Sequence, residues 1–310
     1  MMSLRFFVRW VALCGAVAAF SACGNGDGGE SGPPPCNGGA ELCDRPYDQV
    51  AVVCTHNAMS TEADGFIVPT PNHERPILQQ LEDGVRCLML DSYMADGEPM
   101  LCHANCALGQ VPLVPLLEDI DAWLAEHPDQ VLTFIMEAYI TEAETEQALR
   151  DAGLFDRVYH HDAPPGSPWP TLGEMVDRGD QLVVLTDDAE ANGEWHLDWR
   201  EYGWETPFND ETFTCADGRG DPARYDHQPF ILNHYTLCAS GGCEENGEAN
   251  NAFDFLYPRA VECWQDAEHN PFGHIPTFVN VDHYHVPTSA DGRPEVFDAV
   301  DALNADWPSP

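Results

Sequence analysis

VVCTHNAMS, at residues 52–60, is a short apolar run that ends in a polar turn. The run predicts a buried strand, and the Thr-His-Asn-x-x-Ser sequence predicts the loop that follows it. The imidazole of His56 and the amide of Asn57 would then lie where a strand gives way to a loop. A strand end capped by polar side chains for structural reasons has the same pattern, so its meaning depends on the rest of the chain.

Four later apolar runs also end in a titratable side chain. They are GVRCLMLD at 84–91, DGEPMLCH at 96–103, the run before Glu137 and the run that closes at Asp282. In a parallel barrel, functional groups collect at the carboxyl ends of the strands, while the opposite end stabilises the fold. The placement of these residues therefore predicts a site at one rim of a barrel.

The apolar runs alternate with helical patterns along the chain. Strands are predicted at residues 49–55, 85–90, 99–102, 131–136, 157–160, 181–185, 230–233 and 277–282. Helices are predicted at residues 73–83, 113–127, 141–152, 172–178, 255–267 and 294–304. Such an alternation favours a parallel sheet buried on both faces. Because the turn at residues 96–97 leaves no room for a helix, we expect an α/β fold of the distorted TIM-type (β/α)8 barrel class.

Taken together, residues 48–140 resemble the catalytic X region of phosphatidylinositol-specific phospholipases C and their secreted PLC-like phosphodiesterase relatives. The resemblance implies that His56 is the general base toward the inositol 2-hydroxyl and that His103 is the general acid toward the diacylglycerol oxygen. It also implies that Asp282 orients His56. The expected reaction is the cleavage of a phosphoinositide to diacylglycerol and inositol cyclic phosphate.

The resemblance further implies a metal site formed by Asn57, Asp91 and Glu137, which fall where calcium-dependent members have oxygen ligands. Metal-independent bacterial members have an arginine at the position of Asp91, so an aspartate there favours Ca²⁺ or another divalent ion. Calcium-dependent relatives also have a glutamate two residues earlier, where this chain has Met89. That difference leaves the identity of the metal open.

Two other functions are consistent with parts of the pattern. A glycerophosphodiester phosphodiesterase-like enzyme also uses two histidines and a metal, but its usual His-Arg-Gly and Glu-x-Asp motifs are missing. A catalytically silent barrel that binds lipid or glycan is favoured by Met89 and opposed by the presence of both His56 and His103.

The first 22 residues predict a lipoprotein signal peptide, because Arg5 and Arg9 precede a short apolar segment that ends near Cys23. An ordinary signal peptide is the alternative. Residues 23–42 are expected to be a lipidated Cys23 and a flexible Gly- and Pro-rich tether, and residues 43–310 a single PLC-like barrel domain. The protein would then be exported and anchored by lipid at the bacterial cell envelope, on its periplasmic or cell-surface side.

Ten of the 12 cysteines remain once Cys14 and Cys23 are assigned to this leader. An even number in an exported chain predicts up to five disulfides. Plausible pairs are Cys36–Cys43, Cys102–Cys106, Cys238–Cys243 and Cys54–Cys87. Zinc binding is the competing interpretation, although none of these local pairs has a C-x-x-C spacing.

The formal net charge is −40 and the chain contains no lysine. This charge excludes nucleic acid as a partner and does not favour adsorption to anionic membranes through a basic patch. A phospholipid substrate without extra phosphates fits better, and we expect a monomer. The aromatic-rich insertion at residues 187–227 would be a lid, a lipid-contacting surface or a disulfide-pinned loop over the barrel mouth.

Overall fold

The apolar runs form a curled parallel sheet in the computed structural model, which describes residues 35–67, 71–188, 191, 193–208, 212–236 and 243–308. The predicted signal peptide, Cys23, most of the tether and Cys238 of the predicted Cys238–Cys243 pair lie outside the described residues. No helix in the part of the chain that the structure describes has the length and apolar character needed to cross a membrane.

The strands and helices alternate as the pattern predicts. The strands are β1 (Val52–Thr55), β2 (Cys87–Ala95), β3 (Glu98–Leu101), β4 (Val111–Pro112), β5 (Leu132–Ala138), β6 (Leu182–Thr186), β7 (His196–Asp198), β8 (Trp204–Glu205), β9 (Arg219–Gly220), β10 (Phe230–Asn233) and β11 (Pro276–Val281). The helices are α1 (Ile77–Asp83), α2 (Leu113–Glu126), α3 (Glu142–Asp151), α4 (Leu172–Arg178), α5 (Trp199–Tyr202), α6 (Cys243–Asn250), α7 (Phe253–Gln265) and α8 (Glu295–Asp306).

Eight strands pair in parallel in the order β7-β6-β5-β2-β1-β11-β10-β8. Within the described ranges no ladder joins β7 to β8, so the barrel is open at this seam. The predicted α/β fold of the distorted (β/α)8 class is therefore confirmed. The four-residue helix α5 connects the two edge strands across the seam.

Two of the eight predicted runs are not barrel strands. Residues 98–101 form β3, which runs antiparallel to β2 and makes a hairpin outside the parallel set. Residues 157–160 form only an isolated bridge between Val158 and Leu182. Their places in the eight-stranded barrel are taken by β7 and β8, which have three and two residues. Strands this short carry no readable periodicity, and pairing with the long neighbouring strands defines them.

The helices follow their apolar faces and caps. Helix α2 buries Leu113, Leu117, Ile120, Trp123 and Leu124, as the spacing predicts. Helices α3 and α4 begin at Thr-x-x-Glu capping boxes. The sequence did not predict α6, whose Cys-Glu-Glu-Asn-Gly-Glu-Ala-Asn composition lacks an apolar face.

The three disulfide predictions whose cysteines both lie within the described residues are confirmed: Cys36–Cys43, Cys54–Cys87 and Cys102–Cys106. A fourth bridge, Cys215–Cys263, was not predicted, because its cysteines are 48 positions apart in the sequence. It ties the insertion at residues 187–227 to helix α7.

The folded part begins before residue 43, which corrects the predicted end of the tether. Cys36 and Leu42 are buried, and the Asn37 side chain makes two hydrogen bonds to the backbone of Val131, of 3.1 and 2.7 Å. These contacts and the Cys36–Cys43 bridge hold residues 36–42 against the amino-terminal end of β5. Composition alone predicted flexibility here because it does not register contacts with distant residues.

The insertion at residues 187–227 supplies part of the barrel itself. It contributes β7, α5, β8 and β9, and it buries Trp195, Trp199 and Trp204. Trp204 stacks on Phe230 with ring centroids 3.9 Å apart. Its described residues therefore form a packed wall around the barrel mouth, pinned by Cys215–Cys263.

Replacing both Cys215 and Cys263 with alanine should destabilise the fold by about 4 kcal/mol, since a loop of this length adds that much chain entropy to the unfolded state. The free energy of unfolding from urea titration measures the change. The Cys102→Ala/Cys106→Ala pair is the control, and its four-residue separation predicts a loss of about 2 kcal/mol. Equal losses for the two pairs would contradict the loop-entropy account.

Candidate active site

Alternate residues of the strands face the barrel interior, and this alternation builds the site. Cys54, Cys87, Ile135, Ile231 and Phe278 belong to the interior apolar cluster. Two or four residues further along the same strands, the chain reaches His56, Asp91, Glu137, Tyr235 and Asp282. Because side chains on a strand repeat every second residue, these groups face the same carboxyl-terminal mouth. The predicted convergence at one rim is thus observed for His56, Asp91, Glu137 and Asp282.

His56 and Asp282 form a hydrogen-bonded pair at the base of the mouth. The Nδ1 of His56 lies 2.9 Å from Oδ1 of Asp282, and Asn72 donates to the same oxygen over 2.9 Å. Burial acts to raise the pKa of Asp282. Electrostatic attraction to His56 and His73, together with hydrogen bonds from His56 and Asn72, outweighs burial and lowers the pKa. An ionised Asp282 fixes a proton on Nδ1 and leaves the His56 Nε2 lone pair free.

Two further contacts hold the His56 ring and its backbone. The ring stacks on Tyr235 with centroids 3.9 Å apart and planes 12° apart. Nε2 of His73 lies 2.9 Å from the His56 carbonyl oxygen, so this imidazole donates to it. Sequence reasoning missed Tyr235 and His73, because neither follows a recognisable motif.

Asn57 lies between the two predicted catalytic histidines. Its Nδ2 is 3.1 Å from Nε2 of His56 and 3.3 Å from Nε2 of His103. The backbone of Asn57 has a left-handed φ of 48°, a conformation that asparagine adopts more easily than most residues. Asparagine therefore suits this position both for its turn and for its amide.

His103 approaches from a different direction than predicted. It follows the hairpin strand β3 and lies inside the loop closed by Cys102–Cys106. Its Nδ1 is 3.5 Å from Oγ of the buried Ser60. Desolvation, aided by repulsion from His56, lowers the pKa of His103 against the attraction of Asp282 and Glu137. Without a bound anion, the neutral imidazole is therefore favoured.

Three carboxylates meet beside the histidines. Asp91 and Glu137 are paired positions on β2 and β5, and Asp187 follows β6 and accepts from the Ala138 amide over 3.2 Å. Desolvation and repulsion from Glu137 and Asp187 raise the pKa of Asp91 well above its usual range. Asp187 was not a predicted ligand, although it follows a strand in the same interior phase. The exposed Glu137 accepts a hydrogen bond from Tyr139.

The donor set suits a hard divalent cation. Oδ1 of Asn57 faces Asp91 and lies 3.2 Å from both of its carboxylate oxygens. Three oxygens in such contact need a proton or a cation among them. Rotating the amide would instead turn its oxygen toward Nε2 of His56, which then has to carry a proton. With Nδ2 of Asn57 toward Nε2 of His56, the amide oxygen lies on the Asp91 side, where a divalent cation would bind both residues.

Other side chains complete a cavity of about 360 Å³. Tyr93 and Tyr139 stack with centroids 4.4 Å apart on one wall. Phe208 and Arg219, both from the insertion, form the other. Arg219 pairs with the buried Glu205 and lies over Phe208. No sequence motif indicated either residue.

A larger cavity of about 690 Å³ lies at the opposite, amino-terminal end of the barrel. It is lined by Arg45, Arg86 and Arg293, among others. Arg45 and Arg86 donate to backbone carbonyls, and Arg293 pairs with two aspartates. These guanidinium groups stabilise the fold, and none of the predicted site residues faces this cavity.

The chain belongs to the PI-PLC X family, whose family model matches residues 42–292. It is 31% identical over 215 residues to a PI-PLC X domain-containing protein 1 of Arthroderma benhamiae, an alignment covering 64% of this chain and 68% of the relative. It is 30% identical over 190 residues to an uncharacterized secreted protein of the same fungus, covering 58% of this chain and 42% of the relative. A PI-PLC X domain-containing protein of Arabidopsis thaliana is 29% identical over 214 residues, covering 61% and 49%.

Solved structures agree on the fold. One phosphatidylinositol-specific phospholipase C of Staphylococcus aureus superposes with a TM-score of 0.52 at 13% identity, covering 83% of this chain and 93% of that one. Another structure of the S. aureus enzyme gives 0.51 at 12% identity, covering 85% and 95%. The family model and the curated relatives confirm the sequence-based assignment to this family, and these structures confirm the fold.

Replacing Asp91 with asparagine should stabilise the metal-free protein at neutral pH. The pKa of Asp91 is higher in the folded protein than in the unfolded chain. Protonated Asp91 is therefore tolerated at low pH, but stability is lost as the pH rises through the folded-state pKa and the buried group ionises. Asparagine cannot ionise and avoids this loss. With a chelator present, we expect Asp91→Asn to raise Tm by a few degrees at pH 8 and to leave it nearly unchanged at pH 4. A variant that is less stable than the parent at pH 8 would contradict the repulsion described here.

Proposed function

We propose that this protein is a phosphodiesterase of the phospholipase C type that cleaves a phosphoinositide with two histidines as general base and general acid. The observation that carries the proposal is the arrangement of His56 and His103 on either side of the Asn57 amide, with Asp282 behind His56. Two imidazoles in one cavity suit proton transfer near neutral pH.

In the proposed reaction, His56 Nε2 removes the proton of the inositol 2-hydroxyl, because Asp282 holds the other ring proton at Nδ1. The 2-oxygen forms a bond to phosphorus while the bond from phosphorus to the diacylglycerol oxygen breaks. His103 donates its proton to that leaving oxygen. A phosphate anion bound between the rings favours the protonated form of His103 and offsets the desolvation that otherwise lowers its pKa.

Asn57, Asp91 and Glu137 would hold a divalent cation, which we propose is Ca²⁺, and Asp187 lies close enough to add negative charge. Such an ion supplies charge stabilisation to the phosphoryl oxygens. The acidic cluster supports this proposal, because without a cation it would repel the phosphate it has to bind. Met89 replaces one oxygen ligand with an apolar side chain, which lowers the expected affinity.

The proposed substrate is phosphatidylinositol without extra phosphates, or a glycosylated form of it. Arg219 is the only Arg or Lys among the described side chains that line the cavity, and a polyphosphorylated head group requires several. Tyr139 and Phe208 are exposed at the rim and provide apolar contact for a lipid.

We further propose that the protein is exported, which four disulfides and a relative named as secreted support. Lipid anchoring through Cys23 at a bacterial envelope and a monomeric state stay predictions. The alignments span less than half the length of two of the three curated relatives reported above, so the activity of the whole protein is part of the proposal.

Separate His56→Ala and His103→Ala variants should each lower turnover at least about 10³-fold, as expected for loss of a general acid or base. Diacylglycerol and inositol cyclic phosphate released from phosphatidylinositol vesicles measure turnover, with Ca²⁺ and with a chelator. His269→Ala is the control, since His269 pairs with Asp266 before β11, away from the mouth, and should keep full activity.

Turnover that survives a chelator would remove the metal role from Asn57, Asp91 and Glu137 while leaving the two-histidine reaction in place. A folded parent protein that binds phosphatidylinositol vesicles without any turnover would favour the silent binding barrel instead. Loss of activity in the His269 control would show that histidine substitutions act through folding.

Met89→Glu should lower the Ca²⁺ concentration that gives half-maximal activity by about tenfold. Met89 and Asp91 are two residues apart on β2 and both line the cavity, so a carboxylate there adds an oxygen ligand. Met89→Gln, with nearly the same shape and no charge, is the matched control. An unchanged or higher Ca²⁺ requirement for Met89→Glu would place the cation elsewhere.

A further inference from the structure

A second group of metal-binding side chains lies beside the active-site mouth and takes no part in the proposed reaction. It consists of Glu74 before α1, His285 after β11 and Glu244 in the first turn of α6. One donor atom from each lies within 4.8 Å of the others. Three segments far apart in the sequence are thus brought together at one point.

His285 stands between the two carboxylates. Its Nδ1 lies 2.7 Å from Oε2 of Glu74, and its Nε2 lies 3.8 Å from Oε1 of Glu244. The Glu74 oxygen and the His285 Nδ1 are both buried, and each is the other's partner in this ion pair. The contacts gather one imidazole and two carboxylates at one point, a set of donors that can share an ion.

A buried histidine orients Glu74 from behind. Nδ1 of His283 lies 2.6 Å from the other Glu74 oxygen, Oε1, and the His283 side chain is only 4% exposed. Gly247 of α6 packs directly on it, because a Cβ at that position would lie 2.6 Å from Cβ of His283. Carboxylate ligands of protein metal sites usually have such an outer hydrogen-bond partner.

We propose that Glu74, His285 and Glu244 form a binding site for a Zn²⁺-like divalent ion, with water in the remaining position. One imidazole with two carboxylates suits a borderline metal, whereas Ca²⁺ requires six to eight oxygens. Donor atoms on a tetrahedral zinc lie about 3.3 Å apart. Binding would therefore lengthen the 2.7 Å contact between Glu74 and His285 and turn the mostly exposed Glu244 inward.

The ion would join three loops at the rim of the barrel. The loop of His285 begins at Asp282, and Asn251 next to α6 donates to the carbonyls of Asp282 and His283 over 2.9 and 3.2 Å. Fixing Glu244 to His285 would therefore hold α6 against the loop that positions the partner of His56. The site is independent of the proposed phosphodiesterase reaction and can be tested without it.

The test uses the purified full chain with Asp91→Asn and Glu137→Gln, which removes both carboxylates of the proposed cation site in the mouth. Co²⁺ is the probe, because its visible absorption reports nitrogen and oxygen ligands, and isothermal titration gives the stoichiometry. We expect one Co²⁺ per chain, displaced by Zn²⁺, and affinity at least tenfold weaker after His285→Gln or Glu244→Gln.

Glu245→Gln is the matched control, since it removes the same charge from the neighbouring exposed position of α6 and should leave binding unchanged. Circular dichroism establishes whether each variant is folded. Glu244 is exposed, so Glu244→Gln keeps the fold and still tests the site even if His285→Gln unfolds. Equal weakening by Glu244→Gln and Glu245→Gln, or no stoichiometric Co²⁺ binding by the folded parent, would overturn the proposal and leave a structural ion-pair network.

Discussion

The site depends on the two-residue repeat of the barrel strands. Cys54 and Cys87 face the interior and are joined by a disulfide, and the next interior positions along those strands bring His56, Met89 and Asp91 toward the mouth. A shift of one residue in any register would turn these side chains toward the surrounding helices. The apolar side chains that fix the strand register therefore also determine which polar side chains face the mouth.

Negative charge at the mouth opposes the stability of the fold. Burial and the nearby Glu137 and Asp187 disfavour an ionised Asp91, and among the described residues Arg219, paired with Glu205, is the only Arg or Lys lining the cavity. Asp282 differs, because His56 and Asn72 compensate its buried charge.

Much of the candidate site could be predicted from the sequence, because each of its polar side chains follows an apolar run. His56, Asn57, Glu137 and Asp282 lie where their strands end, and Asp91 lies within β2 at the position paired with Glu137. Helix α4 has the bounds that its pattern predicted. The short edge strands β7 and β8 were not readable, since two or three residues carry no periodicity and pairing with neighbours defines them. For the same reason β3 was mistaken for a barrel strand: an apolar run does not state whether it pairs in parallel.

The sequence by itself determined the barrel class, the family motifs and three of the four described disulfides, because these follow from strand patterns, short motifs and cysteine positions. Through the family motifs it also indicated the residues of the proposed acid–base pair. Only the tertiary structure decided the wall formed by Phe208 and Arg219, the stacking of Tyr235 on His56, the Cys215–Cys263 bridge and the meeting of Glu74, His285 and Glu244. Those contacts join residues far apart in the chain, and the closure of the sheet fixes their distances.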